Sequence, residues 1–592
     1  MSPLRRLFVL IALALVVAPL AANTPLFDPD EGLHAAIAQE MVRSGDYVTP
    51  TFLGEPFLDK PILFFWAEAA SLRLLGDREA AVRLPPLLFG ILGMIGVAAL
   101  GRAMFGETTG LLAGIVYGTM LLPLGVSEVA VHDVAVVPFM CAACVALVAI
   151  ARPDFRLQDG DFRLKADATD TQPGDFRLKA DATDTQPVDF RLKADATDDQ
   201  PVASAFRRNL LLAIVAGVAL GLSILTKGLV GIAFAGILAA CLAVHTPKAT
   251  IRLGVVLAAA VAIAILVAVP WYLAMERAHP GYLHYYFVER HLQGYLTATQ
   301  RHAGRAWWYY VPIVIGGTLP WTGYLAGAAR SVAGAGARGA RTAHRMRVLV
   351  WAWFLAGLVF LSAGESKLVT YVLPLFPALA ILAAERIVST GTFGGRLAYA
   401  VYAAALALMP IGALGAVALK FGPVRSRDWA IASLLTAAIA AIAIRLKPRL
   451  DRPVEQMAAP LLLLSAVALC GLMYVAPLAG RWMSARDLAA VLNTGSALPP
   501  HVSVLDERIG SVVFYLAPPL RAAASPDRID QATIAETVSR IRVEPADAVL
   551  AVRDDQMPRF NRLFVSPPAP AARAGTFNVF RIGTLREALQ GR

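Results

Sequence analysis

The chain has 592 residues, 57% of them hydrophobic and 16% charged, with a net charge of +11 and a mean hydropathy of +0.59. A composition this apolar and this lightly charged excludes an ordinary soluble globular protein. The surplus of Lys and Arg sits in alternate connections between apolar runs rather than on one basic face, so it argues a membrane topology and no nucleic-acid partner.

About thirteen apolar runs approach the length needed to cross a hydrocarbon core of about 30 Å as helices. They are 7–22, 86–104, 109–126, 131–150, 210–226, 229–245, 252–273, 308–328, 348–363, 368–384, 396–419, 428–445 and 457–477. The expected fold class is mainly α: a polytopic transmembrane helical bundle over 1–479, with a small C-terminal α/β domain over 480–592.

Arg5 and Arg6 precede the first run. Arg102, then Arg152 with Arg207 and Arg208, then Lys248 and Arg252, mark every second connection, and 330–347 and 445–452 continue the series. Basic connections stay cytoplasmic, so the N-terminus is expected inside and the C-terminal domain outside. The first run reads as an uncleaved anchor, with a cleaved signal peptide as the alternative. Either way residue 27 onward emerges on the outer side.

The first outer loop spans 27–85. It opens FDPDEGLHAAIAQEMVRSGDYVTP, with Asp28, Asp30, Glu31 and Glu40 directly after an apolar run. Leu33, Ala36, Ile37 and Met41 form a stripe that predicts a helix lying in the interface. Asp30 then falls at the helix start, where an N-cap role is the plain structural reading. LDKPILFFWAEAASLRLLG (58–76) predicts a second interfacial helix, opened near Pro61. Asp28-Pro29-Asp30 is formally an Asp-x-Asp, but no nucleotide-binding pattern accompanies it and no nucleotide cofactor is expected.

Cys141, Cys144, Cys241 and Cys470 lie in or beside apolar runs, where cysteine packs as a small hydrophobe. No disulfide framework or cysteine metal site is expected. The connection 151–208 carries DFRLKADATDTQP at 161–173 and 175–187 and DFRLKADATDDQP at 189–201. These repeats are too poor in apolar residues to form a core, and read as a low-complexity cytoplasmic insert. In the tail, VSVLDE, SVVFYL, DAVLAVRD and FNVFRI predict short strands, with a helix near IDQATIAETVSRI and a structural or lid-like role.

Ionisable residues beside apolar spans are costly and need a reason. By this topology the conspicuous ones share the outer face: Asp28, Asp30, Glu31, Asp59 and Lys60; Glu128, His132 and Asp133; Lys227; Glu289, Arg290, His291, Arg301 and His302; and Glu365, Lys367 and Tyr371. Single-residue readings are bland: Lys60 can snorkel, and the histidines can be surface groups. Gathered from separate segments, they fit group transfer from a donor that arrives in the membrane, such as a sugar on a polyprenyl phosphate. Its leaving group is a phosphate, so the site needs cations for the developing charge and a carboxylate to orient or deprotonate an acceptor.

DPDEGLHAAIAQEMVRSGDYVTPTFLGEPFLDKPILFFW resembles the first outer loop of the C-superfamily membrane glycosyltransferases that include the lipid A aminoarabinose transferase and the protein O-mannosyltransferases. GLSILTKGLVGI, PWYLAMERAHPGYLHYYFVERHLQGY, RHAGRAWWYYVPIVIGGTLPW and SKLVTYVLPLFPALA match further blocks in order, over roughly 25–385. The resemblance implies an inverting transferase in a bacterial inner membrane. Its donor would be an undecaprenyl-phosphate sugar, and its acceptor a lipid, glycan or protein among the membrane lipids. It places Asp30, with Glu31 adjacent, at the catalytic centre. Lys60 would lie near the donor phosphate, and Asp133, Lys227, Arg290, His291, Lys367 and Tyr371 would line the donor or acceptor site.

Two departures stand out: Asp59 replaces a Glu before the lysine, and Arg290 precedes His291 while Gly294 stands where relatives carry Arg. Relatives can bind zinc with the Glu and His, so Asp59 and His291 are candidate ligands for a divalent metal, zinc or magnesium. The alternative from another class is a polyprenyl-lipid flippase, which predicts midplane charges and two related halves with broken helices. A non-catalytic scaffold or sensor is the third reading.

Overall fold

The structure, a computed structural model, describes residues 2–21, 24–151, 200–297, 304–332, 340–422 and 424–590. The repeat insert, Arg301 and His302 lie outside the described residues.

Among the described residues, eight helices are long and apolar enough to cross a membrane. There are up to nine if Glu107–Thr119 and Leu121–Ser127, bent by 67°, form one span. The chain is thus a polytopic helical membrane protein, but the expected thirteen spans are not reached by that measure. The run at 229–245 is a 16-residue helix, Val230–His245, and the run at 308–328 breaks into Tyr310–Gly317 and Thr322–Val332 around Pro320. Proline there removes a backbone donor and clashes with a continuing helix. The run at 368–384 likewise starts as a 3-10 segment, Val369–Leu375, holding Pro374.

Two spans are central. Asp133–Ala151 and Val369–Thr390 are each 83% buried over their apolar window, against 22% for Ser426–Arg449 and 28% for Pro247–Ala278. The N-terminus of the first central span and the start of the second meet the C-terminal end of Phe206–Lys227. The charged groups of three chain segments therefore converge at one level.

The first loop holds the helices Asp30–Ser44 and Leu63–Leu75, close to their predicted positions. The apolar stripe of the first packs on protein: Ala36, Ile37 and Met41 belong to the main core. Its other side is covered by the tail-domain helix Gly510–Tyr515. That helix corrects one expectation, since SVVFYL is helical rather than extended. A six-residue apolar run sealed on all sides has no periodicity to separate the two conformations.

The tail sheet has the order Ile529–Ala532, Val502–Leu505, Val549–Arg553, Phe577–Arg581, Ala572–Ala574. Its first three strands are parallel and its last three antiparallel. The short polar edge strand at 529–532 carries no strand signal. The helix after it, Ile534–Val543, opens on a Thr533/Glu536 capping box, which satisfies two otherwise free backbone donors.

Candidate functional site

The site is a cavity of about 540 Å³ at the Asp133 and Tyr371 ends of the central spans. Part of its lining is apolar, with Val136, Leu229, Val230, Ala233, Phe360, Leu361 and Pro374. The other part carries Asp59, Lys60, Asp133, Lys227, Arg290, His291 and Tyr371. An amphiphile with a hydrocarbon chain and a charged head matches that division.

Asp133 and Lys227 pair directly, and the Lys227 ammonium stands 4.3 Å from the centre of the Tyr371 ring. These three were expected in the site, and the structure brings them together from residues far apart in the chain. Arg290 Nη2 is 2.9 Å from Asp59 Oδ2, and Tyr285 donates to Asp59 Oδ1 at 2.6 Å. Burial and this bond push the Tyr285 phenol up to about 12, so it stays a donor. Lys60 lies within electrostatic reach of His34, His132, Asp133, Lys227 and His291, without an ion-pair partner among the described residues.

The four acids at the head of the first loop separate sharply. Asp30 is exposed and makes no capping bond. It is the first residue of its helix, within electrostatic reach of His34, Lys227 and Tyr371. Glu31 points the other way and is 1% exposed. It takes two bonds from Arg83, at 2.9 and 2.8 Å, and one from the backbone of Phe27. Glu31, expected with Asp30 at the catalytic centre, thus ties the loop to the helix Glu79–Phe105. Asp28 accepts from the backbone and hydroxyl of Ser511 in the tail domain. Glu40 accepts from Thr51, Leu53 and Gly54, holding a tight turn.

Lys367 also departs from expectation. It is 3% exposed, donates to the carbonyls of Gly364 and Arg305, and is not part of the cavity wall; it joins two loops.

The donor set does not fit a metal. His291 Nδ1 is 2.7 Å from the Tyr286 carbonyl, and the ring also bonds to the Lys227 carbonyl. Its Nε2 lies against Gly228, whose φ of +74° suits glycine alone. Burial lowers the imidazole pKa against the pull of those carbonyls. His291 is held at Nδ1 by the Tyr286 carbonyl and Asp59 is engaged by Arg290 and Tyr285, and two candidate ligands alone leave a metal site incomplete. Among the described residues no group of three or more His, Cys, Asp or Glu could hold a metal ion.

The aromatic lining went unmarked in the sequence. Tyr286 packs among Tyr272, Tyr282, Phe287 and His291, and Tyr295 stacks on Phe360. The density of tyrosines in GYLHYYF was the available signal.

Comparison with known proteins bears on this site. Residues 59–157 match the dolichyl-phosphate-mannose-protein mannosyltransferase family. The undecaprenyl phosphate-alpha-4-amino-4-deoxy-L-arabinose arabinosyl transferase of Aeromonas salmonicida is 29% identical over 64% of this chain and 59% of its own length. A transferase of the same name from Sodalis glossinidius is 30% identical over 61% and 54%. The chain thus spans under two thirds of the length of these relatives. The crystal structure of ArnT from Cupriavidus metallidurans bound to undecaprenyl phosphate superposes with a TM-score of 0.69 at 21% identity, over 97% of both chains. At that identity it establishes the fold.

Proposed function

We propose that this chain is a C-superfamily membrane glycosyltransferase of the aminoarabinose transferase and protein O-mannosyltransferase group and moves a sugar from a polyprenyl phosphate to a lipid, glycan or protein acceptor. The reaction takes place at the outer face of a bacterial inner membrane. The observation that carries the reading is the divided cavity, with a hydrocarbon-lined wall joined to the cluster of Lys60, Lys227 and Arg290. The names of the arabinosyl transferase relatives, and the undecaprenyl phosphate bound to ArnT in its crystal structure, support the donor class. Alternation of basic connections supports a cytoplasmic N-terminus and an outer tail domain.

The isoprenoid chain lies along the apolar wall, and its phosphate meets Lys60 and Arg290. As the bond from sugar C1 to the phosphate oxygen breaks, its electron pair leaves on the phosphate, where these fixed cations stabilise the new charge. Asp30 stands on the open side, orients the acceptor, and takes its proton when the acceptor is a hydroxyl. Attack opposite the leaving group inverts C1. Asp59 and Tyr285 hold the Arg290 guanidinium in place.

The test uses purified protein in liposomes with labelled undecaprenyl-phosphate sugars and membrane lipids. Wild type is expected to move label to an acceptor, and Asp30→Asn and Lys60→Ala to lose that transfer. Donor crossing the bilayer with no new glycosidic bond would replace the transferase reading with the flippase.

A further inference from the structure

One helical turn after Asp30, on the same face of the helix Asp30–Ser44, stands His34. It is 4% exposed, and its Nδ1 is 2.9 Å from the carbonyl oxygen of Ala130. A carbonyl only accepts, so Nδ1 carries the proton and Nε2 presents a bare lone pair. Among the described residues Nε2 has no hydrogen-bond partner. The ring is held on two sides, by His132 at 4.6 Å and Phe65 at 5.6 Å between centroids, both edge-on.

The charged and titratable groups that face this imidazole are Asp30 on its own helix, Lys60, and His132 and Asp133 from the start of the central span. Burial lowers the pKa of His34 below that of an ordinary imidazole. It lowers that of His132, whose ring is fully buried, further still. Both rings are therefore neutral near pH 7, and His34 is the one with a fixed tautomer beside Asp30.

Transfer to a phosphate group needs no base, because that acceptor arrives ionised. A base behind the carboxylate is useful when the acceptor carries a proton that must go somewhere. We infer that His34 receives, through Asp30, the proton of an acceptor hydroxyl, so that the acceptor is an alcohol and the product an O-glycoside.

This rests on the transferase reading and deepens it. The acceptor oxygen bonds to C1 as the C1–O bond to the phosphate breaks and its electron pair leaves on the phosphate. The hydroxyl proton passes to the Asp30 carboxylate and on to His34 Nε2, directly or through one water. The imidazolium then returns it to solvent as product departs. Asp30 touches the substrate, and His34 acts through it.

The experiment uses the full chain in liposomes, labelled undecaprenyl-phosphate sugars, and crude membrane lipids and proteins as acceptors. The linkage is read first: an O-glycoside survives mild acid that cleaves a glycosyl phosphate. His34→Asn keeps a donor for the Ala130 carbonyl without a titratable nitrogen, and His34→Gln is the second variant. The expected result is an acid-stable product and, in both variants, a kcat lower by about 10²-fold at nearly unchanged donor KM. Both variants also lose the wild-type fall in rate at acid pH. An acid-labile product overturns the inference, as does a variant with the wild-type rate and pH profile, while the transferase reading stands. A wild type that transfers nothing overturns both. If neither variant folds, the wild-type linkage decides alone.

Discussion

Gly32 and Gly510 meet backbone to backbone where the first-loop helix crosses the tail-domain helix. A Cβ on Gly32 would come within 2.5 Å of Ser511 N and of Asp28 Oδ1. One on Gly510 would lie 2.6 Å from Leu33 Cα. The contact sits two residues from Asp30, so the tail domain shares in setting where that carboxylate stands.

Alanine at either glycine forces the two helices apart. Gly32→Ala and Gly510→Ala are expected to destabilise by about 1–3 kcal/mol, the usual result of overpacking. Thermal unfolding reads the loss, and faster proteolytic release of the tail locates it. Ala substituted at Gly254, where a Cβ would meet nothing within 4 Å, is expected to leave tail release unchanged.

Docking of the tail should depend on pH. Burial, opposed by its bonds to Ser511, pushes the Asp28 carboxyl from 3.8 up to about 7. A raised pKa means the folded state binds the proton more tightly than the unfolded one. Stability is therefore full below about pH 4 and declines as pH rises through about 7. Melting curves between pH 5 and pH 8.5 should show the fall in wild type and a flatter profile in Asp28→Asn. An equal slope in both would assign the dependence elsewhere.

Adjacent acids should give opposite phenotypes. Asp30→Asn is expected to abolish transfer and leave the melting temperature almost unchanged, since Asp30 is exposed and makes no capping bond. Glu31→Gln strands the Arg83 guanidinium, 4% exposed. Removing one partner of a buried pair costs about 3–5 kcal/mol, so this variant should fold poorly while any folded fraction keeps its turnover.

Asp59 acts through Arg290. Asp59→Ala and Arg290→Ala should each raise the donor KM about tenfold or more, with the double variant little worse than either single, as expected of coupled residues. Because Asp59 is engaged by Arg290 and Tyr285 and two candidate ligands are too few for a metal site, chelator treatment or added zinc is expected to leave transfer unchanged. A rate restored by zinc after chelation would refute that.

The membrane bundle was legible because span length and the alternation of basic connections are local properties of the chain. The convergence on one face of Lys60, Asp133, Lys227, Arg290 and Tyr371 was legible through topology alone. What stayed hidden was direction. Asp30 and Glu31 are neighbours of the same charge, and a helix turns successive side chains by about 100°, so one stays exposed and the other meets Arg83. Lys367 was expected to line the donor or acceptor site because a buried carbonyl partner leaves no trace in sequence. His34 drew no notice, since its significance lies in a bond to Ala130. SVVFYL read as a strand because the helix it covers lies near the opposite end of the chain.

Ser511 reaches Asp28 across 483 residues of sequence. During synthesis the first-loop helix leaves the ribosome early and waits until every span has been inserted before Gly510–Tyr515 closes over it. The membrane thus holds a threaded bundle whose first loop stays unlatched until the tail has been made.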